Sequence, residues 1–224
     1  MRFRDRQEAG KLLAKSLMEF ANQNQVVVLA LPRGGVPVAA EIAAALNAPL
    51  DVLPVRKLGT PRQEELAMGA IASGGAKVLN ADVIQSLAIS PELVESVTQR
   101  ELRELERRER LYRGTRPAAK LGGRTVILVD DGLATGSTMQ AAVNAVRLQH
   151  PARIVVAVPV AATSTCEVFN CPEEGLTCVC ETAVEPFYAV GLWYENFDQT
   201  TDAEVCELLN LAWRGDGHRN AQDK

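Results

Sequence analysis

Three stretches of this chain are apolar almost without a break: V-V-V-L-A-L at 26–31, V-I-L-V at 126–129 and R-I-V-V-A-V-P-V at 153–160. A strand wetted on one side alternates apolar and polar residues, so continuous runs mean strands covered on both faces. That is the habit of parallel sheets held between helices. The intervening segments agree. After the first run, P-R-G-G breaks the strand and V-P-V-A-A-E-I-A-A-A-L continues as a helix. Pro37 falls in its first turn, where a missing N–H does no harm. L-D-V-L-P-V at 50–55 is the next strand, and strand, helix and strand at this spacing form a right-handed βαβ unit. A helix from about 137 to 148, a short helix after 160, weaker strands near 176–180 and 188–192, and a closing helix over 202–212 extend the alternation. Ala9, Leu13, Leu17 and Phe20 recur at helical spacing, which predicts an amphipathic helix over 5–22. The expected fold is α/β, a doubly wound and mostly parallel sheet flanked by helices. It occupies one domain over 1–215, with 216–224 fraying.

Composition narrows the function. At 224 residues the chain can bury a proper core, and a net charge of -4 gives no reason to expect nucleic acid or an acidic membrane as partner. No run of eighteen apolar residues appears, and the start M-R-F-R-D-R-Q-E lacks the apolar core of a signal peptide, so a cytoplasmic setting is expected. Five cysteines are present. Cys166, Cys171, Cys178 and Cys180 form no paired C-x-x-C clusters, so reduced thiols are expected rather than a zinc site. Residues 91–113 predict a long charged helix whose Glu104–Arg108 and Glu106–Arg110 spacings suit ion pairing, a solvated face rather than an RNA-binding one. Between Arg56 and Gly75 the pattern is lost. A flexible loop over about 57–75 is expected, with Thr60-Pro61-Arg62 at its tip and Glu64 and Glu65 within it, while A-M-G-A-I-A-S-G-G at 67–75 and K-V-L-N at 77–80 can form a short hairpin.

The chemistry concentrates where the second apolar run ends, in V-I-L-V-D-D-G-L-A-T-G-S-T at 126–138. Ligands of a parallel sheet collect outside the carboxyl ends of its strands, and Asp130 and Asp131 stand at such an end. The small residues that follow leave backbone N–H groups free to close round an anion at the next helix N-terminus. Hydroxyls of Thr135, Ser137 and Thr138 can add to that cradle. Two carboxylates would repel a phosphate, but they suit the uncharged half of the same ligand, the paired hydroxyls of a ribose, and can hold Mg²⁺ indirectly. A ribose 5-phosphate satisfies both halves. The stretch has neither the lysine and spacing of a P-loop nor the G-x-G-x-x-G of a dinucleotide fingerprint. A plain strand-to-helix turn would leave a costly acidic pair at a buried strand end.

Four apolar residues, two acidic ones and a Gly/Ala/Thr/Ser turn resemble the phosphoribosyl pyrophosphate signature of the type I phosphoribosyltransferases. In the same order along the chain, L-P-R-G-G at 31–35 looks like that family's pyrophosphate loop, and V-R-K-L-G-T-P at 55–61 like the start of its flexible catalytic loop. The likeness spans roughly 24–162 and is greatest to the bacterial group labelled predicted phosphoribosyltransferases. It implies an enzyme that moves a 5-phosphoribosyl group from phosphoribosyl pyrophosphate to a nitrogenous base, with Mg²⁺, in nucleotide salvage or a related pathway. By position, Asp130 and Asp131 would bind the ribose hydroxyls and the metal indirectly. Gly132 and Ala134, Thr135, Gly136, Ser137 and Thr138 would hold the 5-phosphate. Arg33, Gly34 and Gly35 would meet pyrophosphate through a strained, cis-capable peptide. Arg56 and Lys57 would supply positive charge near the leaving group. For all three basic residues the competing reading is a solvated surface charge.

A small hood over 176–197 is also expected. E-P-F-Y-A-V-G-L-W-Y-E-N-F at 185–197 gathers much of a sparse aromatic content, which makes Phe187, Tyr188, Trp193 and Tyr194 candidates for stacking on a base. The segment resembles the V-G-x-x-L-D-Y hood of purine enzymes, but Trp193 stands where their metal-binding Asp would be. Packing of these aromatics as core is the competing reading. A homodimer is compatible with the resemblance. Two other functions fit the same cradle: a regulator that senses phosphoribosyl pyrophosphate or nucleotides without turnover, and a phosphosugar hydrolase. The hydrolase would need a positioned base, and His150 and His218 stand away from the motif.

Overall fold

The apolar runs become neighbouring strands. In this computed structural model, which describes residues 2–60 and 63–219 with the side chains at 63–65 and 215–219 left aside, the chain opens with helix α1 (Arg6–Ser16), strand β1 (Val26–Ala30), helix α2 (Gly35–Leu46) and strand β2 (Leu50–Val52). Strands β3 (Val55–Thr60), β4 (Gln63–Ala72) and β5 (Ala76–Leu79) follow, then helices α3 (Ala81–Ser86) and α4 (Pro91–Arg113). The rest alternates: β6 (Thr125–Val129), α5 (Ser137–Arg147), β7 (Arg153–Ala162), α6 (Thr163–Val168), β8 (Leu176–Val184) and α7 (Asp202–Arg219).

The main sheet is parallel throughout, in the order β2-β1-β6-β7-β8. Successive residues of each apolar run point to opposite faces, and the two faces fill separate cores. Val26, Val28, Ala30, Ile127, Val129 and Val155 pack with α1, α2 and α7. Val27, Leu29, Val126, Leu128, Ile154 and Val156 pack with α5. The order reverses between β1 and β6, which pair in register from Val26↔Thr125 to Ala30↔Val129. The crevice beyond their carboxyl ends is therefore the ligand position of a doubly wound sheet.

Four elements differ from expectation. The hairpin that the sequence offered between 67–75 and 77–80 is present as β4-β5, but the part expected to be an irregular loop adds β3 and the start of β4 to it, making a three-stranded antiparallel sheet, β3-β4-β5. Its apolar residues Leu58, Met68 and Ile71 are buried against Val94, Val97 and Leu105 of α4, and register shifts around Gly59 break the regular alternation that periodicity needs. Pro61 and Arg62, expected at the loop tip, lie outside the described residues. The strand expected at 188–192 is instead a 3-10 turn, Val190–Trp193. The helix expected over 5–22 ends at Ser16 and is followed by a 3-10 turn at Met18–Phe20. Finally, α7 runs on to Arg219, past 212 and into residues expected to fray.

Helix α4 spans the 91–113 segment as expected. Ser90 caps it by accepting from Leu93 N–H at 3.3 Å, Pro91 opens its first turn, and Glu104 holds both Arg107 and Arg108 at 2.8 Å. Its last arginine does something the sequence does not advertise. Arg113 Nε reaches Asp51 Oδ1 at 2.9 Å, with only 7 % and 8 % of the two side chains exposed. The other Asp51 oxygen accepts from Ala119 N–H at 2.8 Å. This buried, fully partnered carboxylate fixes the end of α4 to strand β2.

Candidate functional site

Two loops meet beyond β1 and β6. The first, after β1, is held by Leu31 N–H donating to the Val129 carbonyl at 2.8 Å, and contains a cis peptide between Pro32 and Arg33. Its glycines are required by contact. A Cβ on Gly34 would stand 2.0 Å from Asp131 Oδ2, and one on Gly35 would stand 2.5 Å from the Val129 carbonyl oxygen. The two loops are thus pressed together backbone to carboxylate, which only glycine permits.

The second loop carries the acidic pair. Asp131 N–H donates to Asp130 Oδ1 at 2.9 Å. Burial raises the Asp130 carboxyl well above the ordinary carboxylate range, and the neighbouring Asp131 charge adds to the rise. Burial also raises Asp131, against the opposing pull of Arg6. Arg6, in the first turn of α1, donates from Nε to Asp131 Oδ2 at 2.8 Å, with 12 % of its side chain and 16 % of the aspartate's exposed. Its guanidinium also donates to the Asp198 carbonyl at 2.7 Å and lies 3.9 Å from the centre of the Phe197 ring. The Tyr194 hydroxyl donates to the Asp131 carbonyl at 2.6 Å.

Beyond the acids the chain is anchored to β7, where Leu133 N–H donates to Val160 O at 2.9 Å and Ala162 N–H to Leu133 O at 3.1 Å. Gly136, at φ +73, caps α5 in the left-handed region, with Phe169 and Thr165 of the following segment against it. The Thr165 hydroxyl donates to the Ala134 carbonyl at 2.8 Å, and the Thr135 and Ser137 hydroxyls share a hydrogen bond at 3.1 Å. Ala134, Thr135, Ser137 and Thr138 are exposed at the N-terminus of an 11-residue helix, the geometry that suits an anion.

The expected basic residues lie nearby with partners of their own. Arg33 reaches Asp202 at 3.9 Å. Arg56 pairs with Glu101 of α4 through Nη2 at 2.6 Å and Nε at 2.8 Å. A cleft of about 460 Å³ brings Arg56, Lys57 and Gly59 of β3 together with Glu101 and with Thr138 of the phosphate-loop candidate. The small sheet and the anion cradle therefore open onto one space.

Residues 5–184 match the phosphoribosyl transferase domain family. The chain belongs to that family. Two proteins of Mycobacterium tuberculosis, from strains CDC 1551 and H37Rv, carry a provisional phosphoribosyl transferase name and are 43 % identical over 221 residues. The match covers 99 % of this chain and 49 % of theirs, so the chain spans about half the length of these curated relatives. The crystal structure of TT1426 from Thermus thermophilus is 42 % identical, with a TM-score of 0.81 over 93 % of this chain and 98 % of that one. AQ2163 of Aquifex aeolicus, 11 % identical at TM-score 0.50 over 91 % of this chain and 84 % of that one, shares the fold alone.

Within this phosphoribosyl transferase domain the aromatic hood divides in two. Tyr194 is 3 % exposed, its ring packed on Phe3 and Phe197 at 5.5 and 4.9 Å. It is core of the hood, with no ring face open to a base. Tyr188 is 80 % exposed and lines, with Arg2, Leu192 and Trp193, an open slot of about 250 Å³. Phe187 and Trp193 are partly buried against Phe3 and Tyr194. Val190 presses on Gly132, where a Cβ would stand 2.4 Å from its methyl. The segment over 2–4 joins the hood by Phe3 N–H to Trp193 O and Glu195 N–H to Phe3 O, both at 2.8 Å.

Sequence reasoning missed Arg6 and Tyr194's second role, because both act on Asp131 from far along the chain. The one available signal for Arg6 was its place in the first turn of a helix, where a cation opposes the helix dipole and is unexpected without a partner. As for a metal, no group of three or more His, Cys, Asp or Glu among the described residues could hold one. The donor set suits Mg²⁺ in a narrower sense, as that ion commonly takes one or two carboxylates and completes its shell with water and phosphate oxygens.

Proposed function

We propose that this chain moves the 5-phosphoribosyl group of phosphoribosyl pyrophosphate onto a nitrogenous base and releases pyrophosphate. The observation that carries the reading is the meeting, at the sheet's switch point, of an acidic pair with a small-residue helix start in a chain of this family. Asp130 and Asp131 accept from the ribose hydroxyls, and the N–H groups and hydroxyls of Ala134–Thr138 take the 5-phosphate. Arg33, Gly34 and Gly35 face the pyrophosphate, while Arg56 and Lys57 come to it from β3. Both arginines exchange a carboxylate partner, Asp202 or Glu101, for phosphate oxygens in doing so.

Breaking the bond from ribose C1 builds positive charge on the sugar and negative charge on the departing pyrophosphate, as in glycoside hydrolysis. Catalysis then depends on placement and charge more than on a covalent nucleophile. Mg²⁺, held through the Asp130 and Asp131 carboxylates and phosphate oxygens, would add to neutralisation of the leaving group. Phe187, Tyr188 and Trp193 are the residues that face an acceptor base, with Tyr188 and Trp193 on the open slot.

The test is pyrophosphate release from phosphoribosyl pyrophosphate with Mg²⁺ and a panel of purine and pyrimidine bases. Release that depends on one base supports the proposal and names the acceptor. Release without any base points to a hydrolase, and tight binding without turnover to a sensor. Asp131→Asn is expected to lower turnover by 10²-fold or more, on the order of one lost charge-assisted contact in the transition state, while the variant still folds.

A further inference from the structure

Three thiols meet at a place the site does not use. Cys178 and Cys180 are two residues apart on β8, so both face the same side of the sheet. Cys166 on α6 packs against that side, and the Cys166 and Cys178 sulfurs are 3.4 Å apart. β8 is the edge strand, and all three cysteines keep intermediate exposure, so small solutes reach them. A soft-metal site is the obvious alternative, but among the described residues no cysteine group has the arrangement to hold a metal.

The trio is also wired to the anion cradle. Thr165, beside Cys166 on α6, donates to the Ala134 carbonyl at 2.8 Å. Its methyl and the Phe169 ring each leave only 2.9 Å for a Cβ on Gly136. Phe169 closes α6 and is 1 % exposed. Any displacement of α6 is therefore felt by the loop from Ala134 to Gly136.

We propose that Cys166 and Cys178 are a site of reversible disulfide formation by peroxides, and that the bond weakens the grip of the adjoining loop on a phosphate group. The second clause rests on the function proposed above; the first does not. The Cys178 thiol donates to the Cys166 sulfur at 3.4 Å, a contact that favours the thiolate on Cys166 and lowers its pKa from the ordinary thiol value, so Cys166 is the sulfur placed to attack first. Its thiolate attacks the peroxide O–O bond, giving a sulfenic acid and releasing hydroxide, or alkoxide from an alkyl peroxide. The Cys178 sulfur then attacks the Cys166 sulfur and expels hydroxide, which leaves as water with the Cys178 proton. With hydrogen peroxide, two thiols are oxidised, one peroxide is reduced and two waters form. Closing the pair from 3.4 Å to the ~2.05 Å of a disulfide draws α6 toward β8 and disturbs the Thr165 hydrogen bond to Ala134.

The experiment treats the full chain with hydrogen peroxide, quenches it and maps the products by mass spectrometry. A cross-linked pair containing Cys166 and Cys178, lighter by ~2 Da and reversed by dithiothreitol, is expected. Cys166→Ser and Cys178→Ser should each abolish it, while Cys171→Ser and Cys206→Ser leave it intact. Oxidation of Cys166 straight to sulfinic acid, or a bridge between chains only, would overturn the disulfide. Calorimetry with ribose 5-phosphate as probe reads the second clause: oxidation should weaken binding by on the order of 5-fold or more, and not in Cys178→Ser. Equal affinity of both forms would overturn the coupling. Failure of the reduced protein to bind ribose 5-phosphate at all would instead count against the cradle reading, with the mapped disulfide still standing.

Discussion

Arg6→Met isolates the most consequential contact in the site. The substitution keeps a long apolar stem over Phe197 but removes the guanidinium that holds Asp131 Oδ2 at 2.8 Å. Breaking a buried ion pair from one side costs about 3–5 kcal/mol. This pair retains 12 % and 16 % exposure, and water can partly re-solvate the aspartate, so a loss of about 2–3 kcal/mol is expected at pH 8. For a chain of this size that lowers Tm by roughly 4–12 °C.

The loss should depend on pH, and the sign can be worked out. Burial raises Asp131 in the folded state, and Arg6 is what opposes the rise. A carboxyl with a raised folded pKa binds more protons folded than unfolded, so its contribution to stability falls as pH climbs through the window above the unfolded value. Removing Arg6 raises the folded value further and deepens that fall. The deficit of Arg6→Met against the parent should be largest at pH 8 and shrink toward pH 4, where the proton replaces the guanidinium. Urea titrations of both proteins across that range, read by circular dichroism, measure it. A deficit under about 1 kcal/mol at pH 8, or one that does not shrink on acidification, would refute the claim that Arg6 compensates a buried charge.

Three further outcomes follow from contacts described above. Gly34→Ala puts a methyl 2.0 Å from Asp131 Oδ2, which Arg6 prevents from swinging away, so a cost of about 1–3 kcal/mol in thermal denaturation is expected. Tyr194→Phe leaves the Asp131 carbonyl without its 2.6 Å donor and should cost about 1–3 kcal/mol; an unchanged Tm would show that the hood does not brace the acidic loop. Arg113→Met abandons Asp51 in a site where 8 % of its side chain is exposed, with an expected loss of about 3–5 kcal/mol in urea, larger than for Arg6→Met because this pair is drier.

Much of this architecture is written locally. Unbroken apolar runs at 26–31 and 126–129 mark strands buried on both faces, and the small residues after Asp131 can only serve a close approach. Helix α4 announces itself by its glutamate–arginine spacings. What stays hidden is set by partners distant in the chain. Leu58 and its neighbours in β3 read as an irregular stretch because the burial of Leu58 is provided by α4, and the bulges at Gly59 erase the two-residue period. The turn at Val190–Trp193 forms where Val190 drops onto Gly132, a contact no local pattern encodes. Arg6 looks like a surface cation until the first turn of α1 is brought to the end of β6. Tyr194 suggests a ligand contact by its ring, whereas its hydroxyl is the group that the fold employs.

The neighbours β1 and β6 are adjacent in space yet divided by everything from α2 to α4. Neither the glycine turn after one nor the acids after the other makes a receptor alone. A nascent chain that has emerged only as far as α4 has half of the crevice and no opposite wall. Whatever occupies that crevice cannot chaperone its early steps, and can only latch the finished topology once that distant pairing has been made.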